Sequence, residues 1–283
     1  MQINRCVLSL CCFALTFAAI APTRADRPPE PLWEVGAGLG ALAFPTWAGS
    51  RQHDLFLSPV PYVIYRGEHI QADRSGIRGM LFDTKTFDIR LSLAGSPPPD
   101  DDDAMREGMP GLDPVLEIGP ELRWGAWERK DKNLALYLRL PLRAAVTASG
   151  QGLDTAGWFS SPAINLESRE WPTAGWRIGI NAGPVLGDRD YHAYFYEVAP
   201  QYATSTRPAW EAHSGYGGLQ WTTSASRRMG NLWVGAFLRV QYLQGATFED
   251  SPLVRTDDSL AVGVAVAWVF ARSKTLVKSR DED

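Results

Sequence analysis

Histidine residues are the first candidates for chemistry in this sequence, because an imidazole can act as a general base or a metal ligand near neutral pH. The four histidines are His53, His69, His192 and His213. His53 lies near Ser50 and Asp54, and His213 precedes Ser214, so a Ser-His-acid site can be drawn from either pair. None stands at a metal-binding spacing, and a loop histidine beside serine is common by chance. The sequence therefore predicts no catalytic residue and no enzyme.

An acidic run, Asp100–Asp103, is the strongest candidate for binding a hard cation, since Ca²⁺ and Mg²⁺ prefer carboxylate oxygens. The run lacks the spacing of a calcium loop, and blocks of like charge are usually solvated. We interpret it as part of a polar loop. The glycines from Gly36 to Gly40 precede no predicted helix, which excludes a phosphate-binding loop. We therefore predict no metal site and no cofactor.

Residues 1–25 have the features of a secretory signal peptide. Arg5 gives a positive start, Cys6–Ile20 is apolar but too short to span a bilayer, and Thr23-Arg24-Ala25 fits a cleavage site. Every cysteine lies in this segment, which excludes disulfides and thiolate metal sites from the rest of the chain. The net charge of −4 becomes more negative when the two arginines leave, which argues against nucleic acid as a partner.

The segment Asp258–Phe270 alternates large and small residues, which predicts a β-strand with two unlike faces. One face has Leu260, Val262, Val264, Val266, Trp268 and Phe270, and the small residues Ala261, Gly263, Ala265 and Ala267 lie on the other. A strand of a soluble sandwich normally has a polar second face. A lipid-facing barrel strand instead has bulky residues outside and small residues inside. Taken alone, this segment also fits a strand buried on both faces of a soluble core.

Similar alternation recurs along the chain, and no segment shows sustained helical periodicity. The second face of these segments repeatedly has ionised residues, which in a soluble sandwich would face solvent and in a membrane barrel would line the lumen. We predict these lumen-facing residues to be Asp88, Arg90, Glu117, Arg123, Arg139, Arg143, Glu167, Arg177 and Arg239. Several segments are longer than soluble strands usually are and match the length of a tilted membrane-crossing strand. Eleven tryptophans, several near predicted strand ends, fit aromatic girdles.

These patterns predict an all-β fold, a closed antiparallel transmembrane β-barrel over residues 26–270, followed by a polar tail over residues 271–283. We recognise eleven strand segments. Because bacterial single-chain barrels have an even number of strands, we predict 12 strands, with 10 as the alternative. Tyr191–Ala203 is the best candidate for the missing strand. Long connections face the exterior in such barrels, so Asp188–His213 and Gly245–Asp257 are predicted to be external.

An ordered series of short motifs resembles the MltA-interacting protein (MipA/OmpV) family of outer-membrane proteins. The motifs are Trp33-x-x-Gly36-x-Gly38, Pro45-x-x-x-Gly49-Ser50, Val60-Pro61-Tyr62 before Tyr65-Arg66, Gly108-Met109-x-Gly111-Leu112-Asp113, Tyr194-x-Tyr196-x-Val198, Ser214-Gly215-Tyr216-Gly217-Gly218 and Asp250-Ser251-Pro252-Leu253-Val254. The match spans nearly all of the chain after the predicted cleavage site. The resemblance implies a barrel in the outer membrane of a Gram-negative cell envelope. It transfers no catalytic residue, because none is established for the family.

The resemblance implies a non-enzymatic scaffold that links a murein transglycosylase to a penicillin-binding protein in peptidoglycan biogenesis. A small solute pore (a porin) is the alternative, because charges of both signs on the inner face allow a wet lumen. A lipid A-modifying enzyme, built on the serine and histidine pairs above, is a third reading. The expected partners are outer-membrane lipid, lipopolysaccharide and the two murein enzymes.

The closing strand is expected to direct barrel assembly. We predict that Asp258–Phe270 pairs with Trp33–Phe44 to seal the barrel and remove both sheet edges. Trp268 and Phe270 are the predicted assembly signal. Members of the family usually end on the terminal aromatic residue, whereas residues 271–283 follow Phe270 here. We expect a charged residue at position 270 to impair assembly more than deletion of Ala271–Asp283.

Overall fold

A computed structural model describes residues 29–67, 70–73, 76–84, 86–96, 104–129, 133–149, 152–169, 173 and 175–277. The predicted signal peptide, the acidic run Asp100–Asp103, His69 and the last residues of the predicted tail lie outside the described residues.

The described residues form 12 strands in one antiparallel sheet. They are β1 (Trp33–Pro45), β2 (His53–Arg66), β3 (Ile70–Asp73), β4 (Gly76–Asp83), β5 (Phe87–Ser96), β6 (Val115–Arg129), β7 (Leu134–Pro141 and Arg143–Ser149), β8 (Gly152–Ser160 and Ala163–Ser168), β9 (Trp176–Gly187), β10 (Gly215–Met229), β11 (Leu232–Tyr242) and β12 (Asp258–Arg272). Strands β7 and β8 are each written in two parts because Leu142 and Ser161-Pro162 interrupt their pairing.

Each strand pairs with the next along the chain, and the last strand returns to the first. In β12, Val264 pairs with Ala41 and Val266 pairs with Leu39 of β1, as expected for the closing strand. This pairing removes the edges of the first and last strands, β1 and β12. The prediction of an antiparallel transmembrane β-barrel with 12 strands is confirmed, and the strands form a ring.

The twelfth strand comes from a hairpin that the sequence pattern concealed. The segment His69–Phe82, interpreted as one strand, contains the two strands β3 and β4, which pair with each other from Ile70–Gly79 to Asp73–Gly76. The predicted strand at Tyr191–Ala203 was wrong, because this segment begins inside helix α1 (Arg189–Tyr196). The Asp188 side chain accepts a hydrogen bond from the Tyr191 backbone N–H, which caps the helix at its N-terminus.

The outer face of the barrel is apolar. On β12, Leu260, Val264 and Phe270 are exposed while Ala267 is buried, so the large residues lie outside and the small ones inside. Strands β2, β6 and β8 also have exposed leucines or tryptophans on this face. Such a band suits contact with lipid tails. Among the described residues, no helix is long and apolar enough to cross a membrane.

The connections differ in length at the two ends of the barrel. Residues 46–52, 97–114, 188–214 and 243–257 join strands at one end. At the other end the joins are short, for example residues 84–86 and 230–231, and both described chain ends lie there. Since long loops face outward and short turns face the periplasm, the first is the external end and the second the periplasmic end.

The two described chain ends pair beside the periplasmic end. Glu30–Pro31 pairs with Leu276–Val277, and the Ser273 N–H donates to the Trp33 carbonyl. Strand β12 itself continues to Arg272, two residues beyond its predicted end at Phe270. Part of the predicted polar tail is therefore attached to the barrel wall.

Candidate functional site in the barrel lumen

Small residues make room inside one half of the barrel. The inner faces of β1 and β12 consist largely of glycine and alanine, including Gly38, Gly40, Gly263 and Ala265. A side chain at Gly38 would collide with the backbone oxygen of Val266, so only glycine permits this close approach of the two strands. The result is a cavity rather than a packed core.

This cavity, called the chamber below, has a volume of about 500 Å³. Its walls come from β1, β2 and β9–β12, together with the periplasmic end of β8. Most of the lining is apolar, including Phe56, Val60, Ile64, Trp233 and Phe237. Polar groups enter mainly at its periplasmic end, where Arg66, Glu167 and Arg177 belong to the wall. The chamber is in the size range of ligand sites in proteins.

The opposite half of the lumen, the inner face of β5–β7, contains ion pairs. The Asp88 carboxylate accepts from Arg90 at 2.5 Å and 2.8 Å, and the Arg90 side chain is only 2% exposed. Glu121 accepts two bonds from Arg139, at 2.9 Å and 2.5 Å, and one from Arg143 at 3.3 Å. These side chains occupy the interior of this half of the barrel, and each buried charge has a partner of opposite sign that offsets its desolvation.

The remaining predicted lumen-facing residues lie around this network. Arg143 contacts Glu117 at 3.4 Å. The Arg123 guanidinium lies 3.8 Å from the ring centroid of Tyr137, whose hydroxyl donates to Glu167.

The last two predicted residues, Arg177 and Arg239, lie on β9 and β11. Arg177 lies 3.9 Å from Glu30 at the periplasmic end. Arg239 lies 6.0 Å from the Phe237 ring and interacts electrostatically with Glu117 and Arg143 of the network. The structure thus brings eight of the nine predicted residues into the network or beside it and places Arg177 at the periplasmic end.

Sequence reasoning missed a second charged group at the periplasmic end. Glu34 accepts from Arg66 at 3.1 Å and also bonds with Arg228, although Arg228 lies 194 positions later in the sequence. Arg66 additionally forms an ion pair with Glu30 at 2.9 Å. Glu34 shares the parity of the small inner residues of β1, so the alternation contained a signal for its direction. Nothing in the local sequence indicated its partners.

These residues surround a second cavity of about 290 Å³, called the mouth below. Arg66, Arg177 and Ser226 line both the mouth and the chamber, so the two spaces adjoin. Five arginines and two glutamates belong to the described lining of the mouth, so basic side chains outnumber acidic ones there. The lumen therefore passes from an apolar chamber to a cationic periplasmic opening.

The external end of the barrel is closed by its long loops, residues 46–52, 104–114, 188–214 and 243–257, which together form the cap. The cap has its own apolar core, containing Trp47, Leu112, Tyr196, Phe248 and Leu253. The Tyr196 and Phe248 rings stack with centroids 3.7 Å apart.

Hydrogen bonds tie the cap loops to one another. The Trp47 Nε1–H donates to the Leu253 carbonyl at 3.0 Å, and the Ser251 hydroxyl donates to the Tyr196 carbonyl at 2.8 Å. Arg207 is buried and donates to the carbonyls of Met105 at 2.7 Å and Glu107 at 3.0 Å. Each bond joins loops that are distant in sequence, so the cap is a packed unit rather than a set of separate loops.

Helix α1 of the cap also packs inside the barrel opening. Its Tyr191 ring stacks on Phe159 with centroids 5.0 Å apart, and the inward-facing Val115 and Ala145 form a cluster with Tyr191 and Phe195. Burial raises the pKa of the Tyr191 phenol, so this group stays neutral near pH 7. The helix thus narrows the external opening from within.

Of the three histidines that the structure describes, His192 of α1 is the buried one, with only 1% of its surface exposed. Its Nδ1 lies 2.7 Å from the His213 carbonyl, and Phe248 packs against the ring. Burial lowers the pKa of His192, while the His213 carbonyl and the Asp188 carboxylate oppose that shift. Because the folded cap keeps His192 neutral, the opened cap binds a proton more readily than the closed cap does. The closed cap is therefore most stable at a pH above the ordinary histidine pKa, and its stability decreases as the pH falls below that value.

We expect hydrogen exchange in α1 to increase when the pH is lowered below about 6.5, because the opened cap then binds a proton that the closed cap excludes. The increase should approach about tenfold for each pH unit, after correction for the intrinsic pH dependence of exchange. Exchange measured by mass spectrometry on His192→Asn should lack this response. His213→Asn, at an exposed histidine, is the control and should keep it. An equal response in both variants would contradict the role of His192.

Among the described residues, the serine and histidine pairs considered for hydrolysis do not form a Ser-His-acid triad. His53 Nδ1 lies 3.2 Å from the Arg51 carbonyl, and the Ser50 hydroxyl accepts from the Gln52 N–H at 3.0 Å. His213 faces Trp210 at 6.2 Å between ring centroids. Among the described residues, no group of three or more His, Cys, Asp or Glu side chains is arranged to hold a metal ion.

Three solved outer-membrane proteins share a distant likeness with this chain. A bacterial polysaccharide outer membrane secretin has 12% identity and a TM-score of 0.43, covering 84% of this chain and 99% of its own. The toluene transporter TbuX of Ralstonia pickettii has 10% identity and a TM-score of 0.28, with coverages of 86% and 90%. The outer membrane phospholipase A of Escherichia coli has 11% identity and a TM-score of 0.27, with coverages of 87% and 94%.

Comparison of sequences gives a more direct result. No curated protein matches this chain. The family model described as MltA-interacting protein MipA matches residues 37–270, which span the barrel from β1 to the terminal aromatic of β12. This chain is therefore an outer-membrane β-barrel protein that belongs to the MltA-interacting protein MipA family.

Proposed function

We propose that this protein is a non-enzymatic scaffold that anchors a murein-remodelling enzyme, a transglycosylase in the first instance, at the inner surface of the outer membrane. The observation that carries the proposal is the asymmetry of the two ends. The external end is closed by the packed cap, whereas the periplasmic end presents the open cationic mouth and the paired chain ends. The description of the family as MltA-interacting supplies the class of partner.

The periplasmic rim is suited to a protein partner because charge is concentrated there. Arg272 is exposed at the end of β12, and Arg227 lies 5.7 Å from the Trp176 ring at the ends of β9 and β10. Arginine and tryptophan are the residues that most often dominate protein interfaces. A penicillin-binding protein as a second partner and lipopolysaccharide around the barrel belong to the same proposal.

The test is co-purification of a murein transglycosylase with the barrel from crosslinked envelopes. Arg272→Glu reverses a charge at the periplasmic rim, and we expect about a tenfold loss of recovered enzyme. Arg255→Glu makes the same change at an exposed position of the cap and is the matched control, with recovery expected to equal that of the unaltered protein. Recovery of no murein enzyme with the unaltered protein would overturn the proposal. A heat-modifiability gel verifies that each variant is folded.

A solute pore is less well supported, since the cap closes one end and the ion pairs occupy half of the lumen. We expect the purified barrel to show no sustained conductance in a planar bilayer. Steady single-channel currents at neutral pH would favour the pore and contradict a purely structural role.

A further inference from the structure

Among the described residues, one side of strand β2 is largely unpaired beside the chamber. Strand β2 pairs with β1 along its whole length, from Trp33–Tyr65 to Pro45–His53. On its other side it pairs with β3 only at Tyr65 and Arg66. No strand among the described residues pairs with that side between Leu55 and Val63. At about 3.3 Å per residue, this part of β2 is roughly 26 Å long.

The sequence of β2 is adapted to a free edge. The Arg66 N–H donates to the Leu32 carbonyl, which precedes β1. Because the backbone groups of successive residues in a strand point to opposite sides, those of the even-numbered residues of β2 point toward β1. The N–H and C=O groups of the odd-numbered residues therefore point toward the unpaired side. Pro59 and Pro61 are odd-numbered, and proline has no backbone N–H. They therefore reduce the number of N–H groups on the unpaired side that lack a hydrogen-bond acceptor in the membrane. Proline at these positions favours an edge that is part of the native barrel.

The inner face of the same strand forms an apolar wall of the chamber. Phe56 and Val60 point inward and line the chamber together with Ser58. Phe56 is 43% exposed although it lies on the inner face, so its ring borders open space rather than a packed core. An apolar hollow next to a free edge in the membrane favours a ligand that partitions into lipid.

The other end of the chamber favours a negative charge on that ligand. Arg66 and Arg177 belong to both the chamber and the mouth, and arginines outnumber glutamates around the mouth. Ser224 and Ser226 of β10 line the same region and supply hydroxyl groups. An apolar cavity whose polar end has more arginines than glutamates matches a long hydrocarbon tail with an anionic head.

We propose that the chamber binds one single-chain anionic amphiphile of the fatty-acid class. The tail lies between the inner faces of β2 and β11, among Phe56, Val60 and Phe237. The carboxylate lies at the junction with the mouth, near Arg177. This binding does not depend on the scaffold role, and either can fail without the other.

The experiment measures binding of hexadecanoate and of hexadecanol to the full chain in nanodiscs of zwitterionic lipid. Saturable binding of hexadecanoate at a ratio near one per barrel is expected. Ser224→Phe places a ring inside the chamber, and we expect at least a tenfold loss of affinity for both compounds. Thr223→Phe makes the same change on the outer face of β10 and is the matched control, with affinity expected to be unchanged. Equal affinity of the two variants would overturn the proposal, as would absence of saturable binding.

A second variant tests the position of the carboxylate. Arg177→Gln should weaken binding of hexadecanoate about tenfold and leave binding of hexadecanol unchanged, because only the former has a charge for the arginine. An equal effect on both compounds, or no effect on either, would overturn the assignment of the anionic head. Displacement of hexadecanoate by a neutral alkyl maltoside at equal concentration would show a nonspecific apolar hollow and would also contradict the proposal. Heat-modifiability gels confirm folding of all three variants.

Discussion

Replacing Glu121 by glutamine is expected to lower the free energy of unfolding by about 3–5 kcal/mol, the range measured when one partner of a buried ion pair is removed. Glu121 is 2% exposed and accepts from two arginines, Arg139 and Arg143. A third arginine, Arg90, lies directly opposite it on β5. A neutral amide at position 121 removes the carboxylate that lies between these three guanidinium groups. Their mutual repulsion is then no longer offset at this position.

Urea unfolding in lipid vesicles, followed by tryptophan fluorescence and by the mobility shift of unboiled samples, measures this loss. Glu211→Gln is the control, because Glu211 is 73% exposed in the cap and its ion pair with Arg189 is solvated. We expect its effect to stay within about 0.5 kcal/mol. The double variant Glu121→Gln with Arg139→Leu should recover part of the loss, since it removes one unpaired charge together with its partner. A loss at Glu121 no larger than the control would show that the network contributes little to stability.

The strands of this barrel were predictable because their signal is local. Lipid on one side and a mixed lumen on the other impose a period of two along each strand, and residues such as Leu260 and Val262 show it directly. The hairpin of β3 and β4 was missed because its strands are short and Gly76 and Gly79 look like irregularities in one strand. The even number required of a closed barrel supplied the correct count where the pattern did not.

Helix α1 was hidden by a pattern shared with strands. Tyr194 and Tyr196 alternate with Phe195, which reads as period two, yet all three rings pack in the cap. Aromatic residues on every side suit a helix buried on all sides as well as a strand. The acceptor Asp188 followed by Asp190 in the first turn was the available signal for a helix start. In a short segment this capping signal was better evidence than alternation.

The two cavities could be predicted only in part. The small residues of β1 and β12 were visible, and they imply space on the inner face. Where that space lies depends on which strands face each other across the lumen, and this follows from closure and register rather than from local sequence. The bond between Arg228 and Glu34 joins opposite ends of the chain for the same reason. Local alternation gives the direction of a side chain, and the tertiary fold gives its partner.

Substituting Phe270 by aspartate is expected to reduce the amount of folded barrel in the outer membrane about tenfold. Phe270 is 63% exposed on the outer face, at a bulge where β12 shifts its pairing between Val269 and Ala271. A charge near the end of a strand costs only about 0–1 kcal/mol in the bilayer. Such a cost is too small for a tenfold loss, so a large defect would show that the terminal aromatic is recognised during assembly.

Two matched variants separate recognition from stability. Leu260→Asp puts the same charge on the outer face of β12 at the opposite end, and we expect near-normal levels. Deletion of Ala271–Asp283 removes the pairing of Leu276–Val277 with Glu30–Pro31 and the last two residues of β12, and we expect a milder defect than that of Phe270→Asp. Quantified outer-membrane fractions measure assembly, and refolding into lipid vesicles measures stability without the cellular machinery. If Phe270→Asp refolds as poorly in vesicles as it assembles in cells, its role is structural. If the deletion is the more severe change, the paired chain ends rather than the aromatic residue carry the assembly signal.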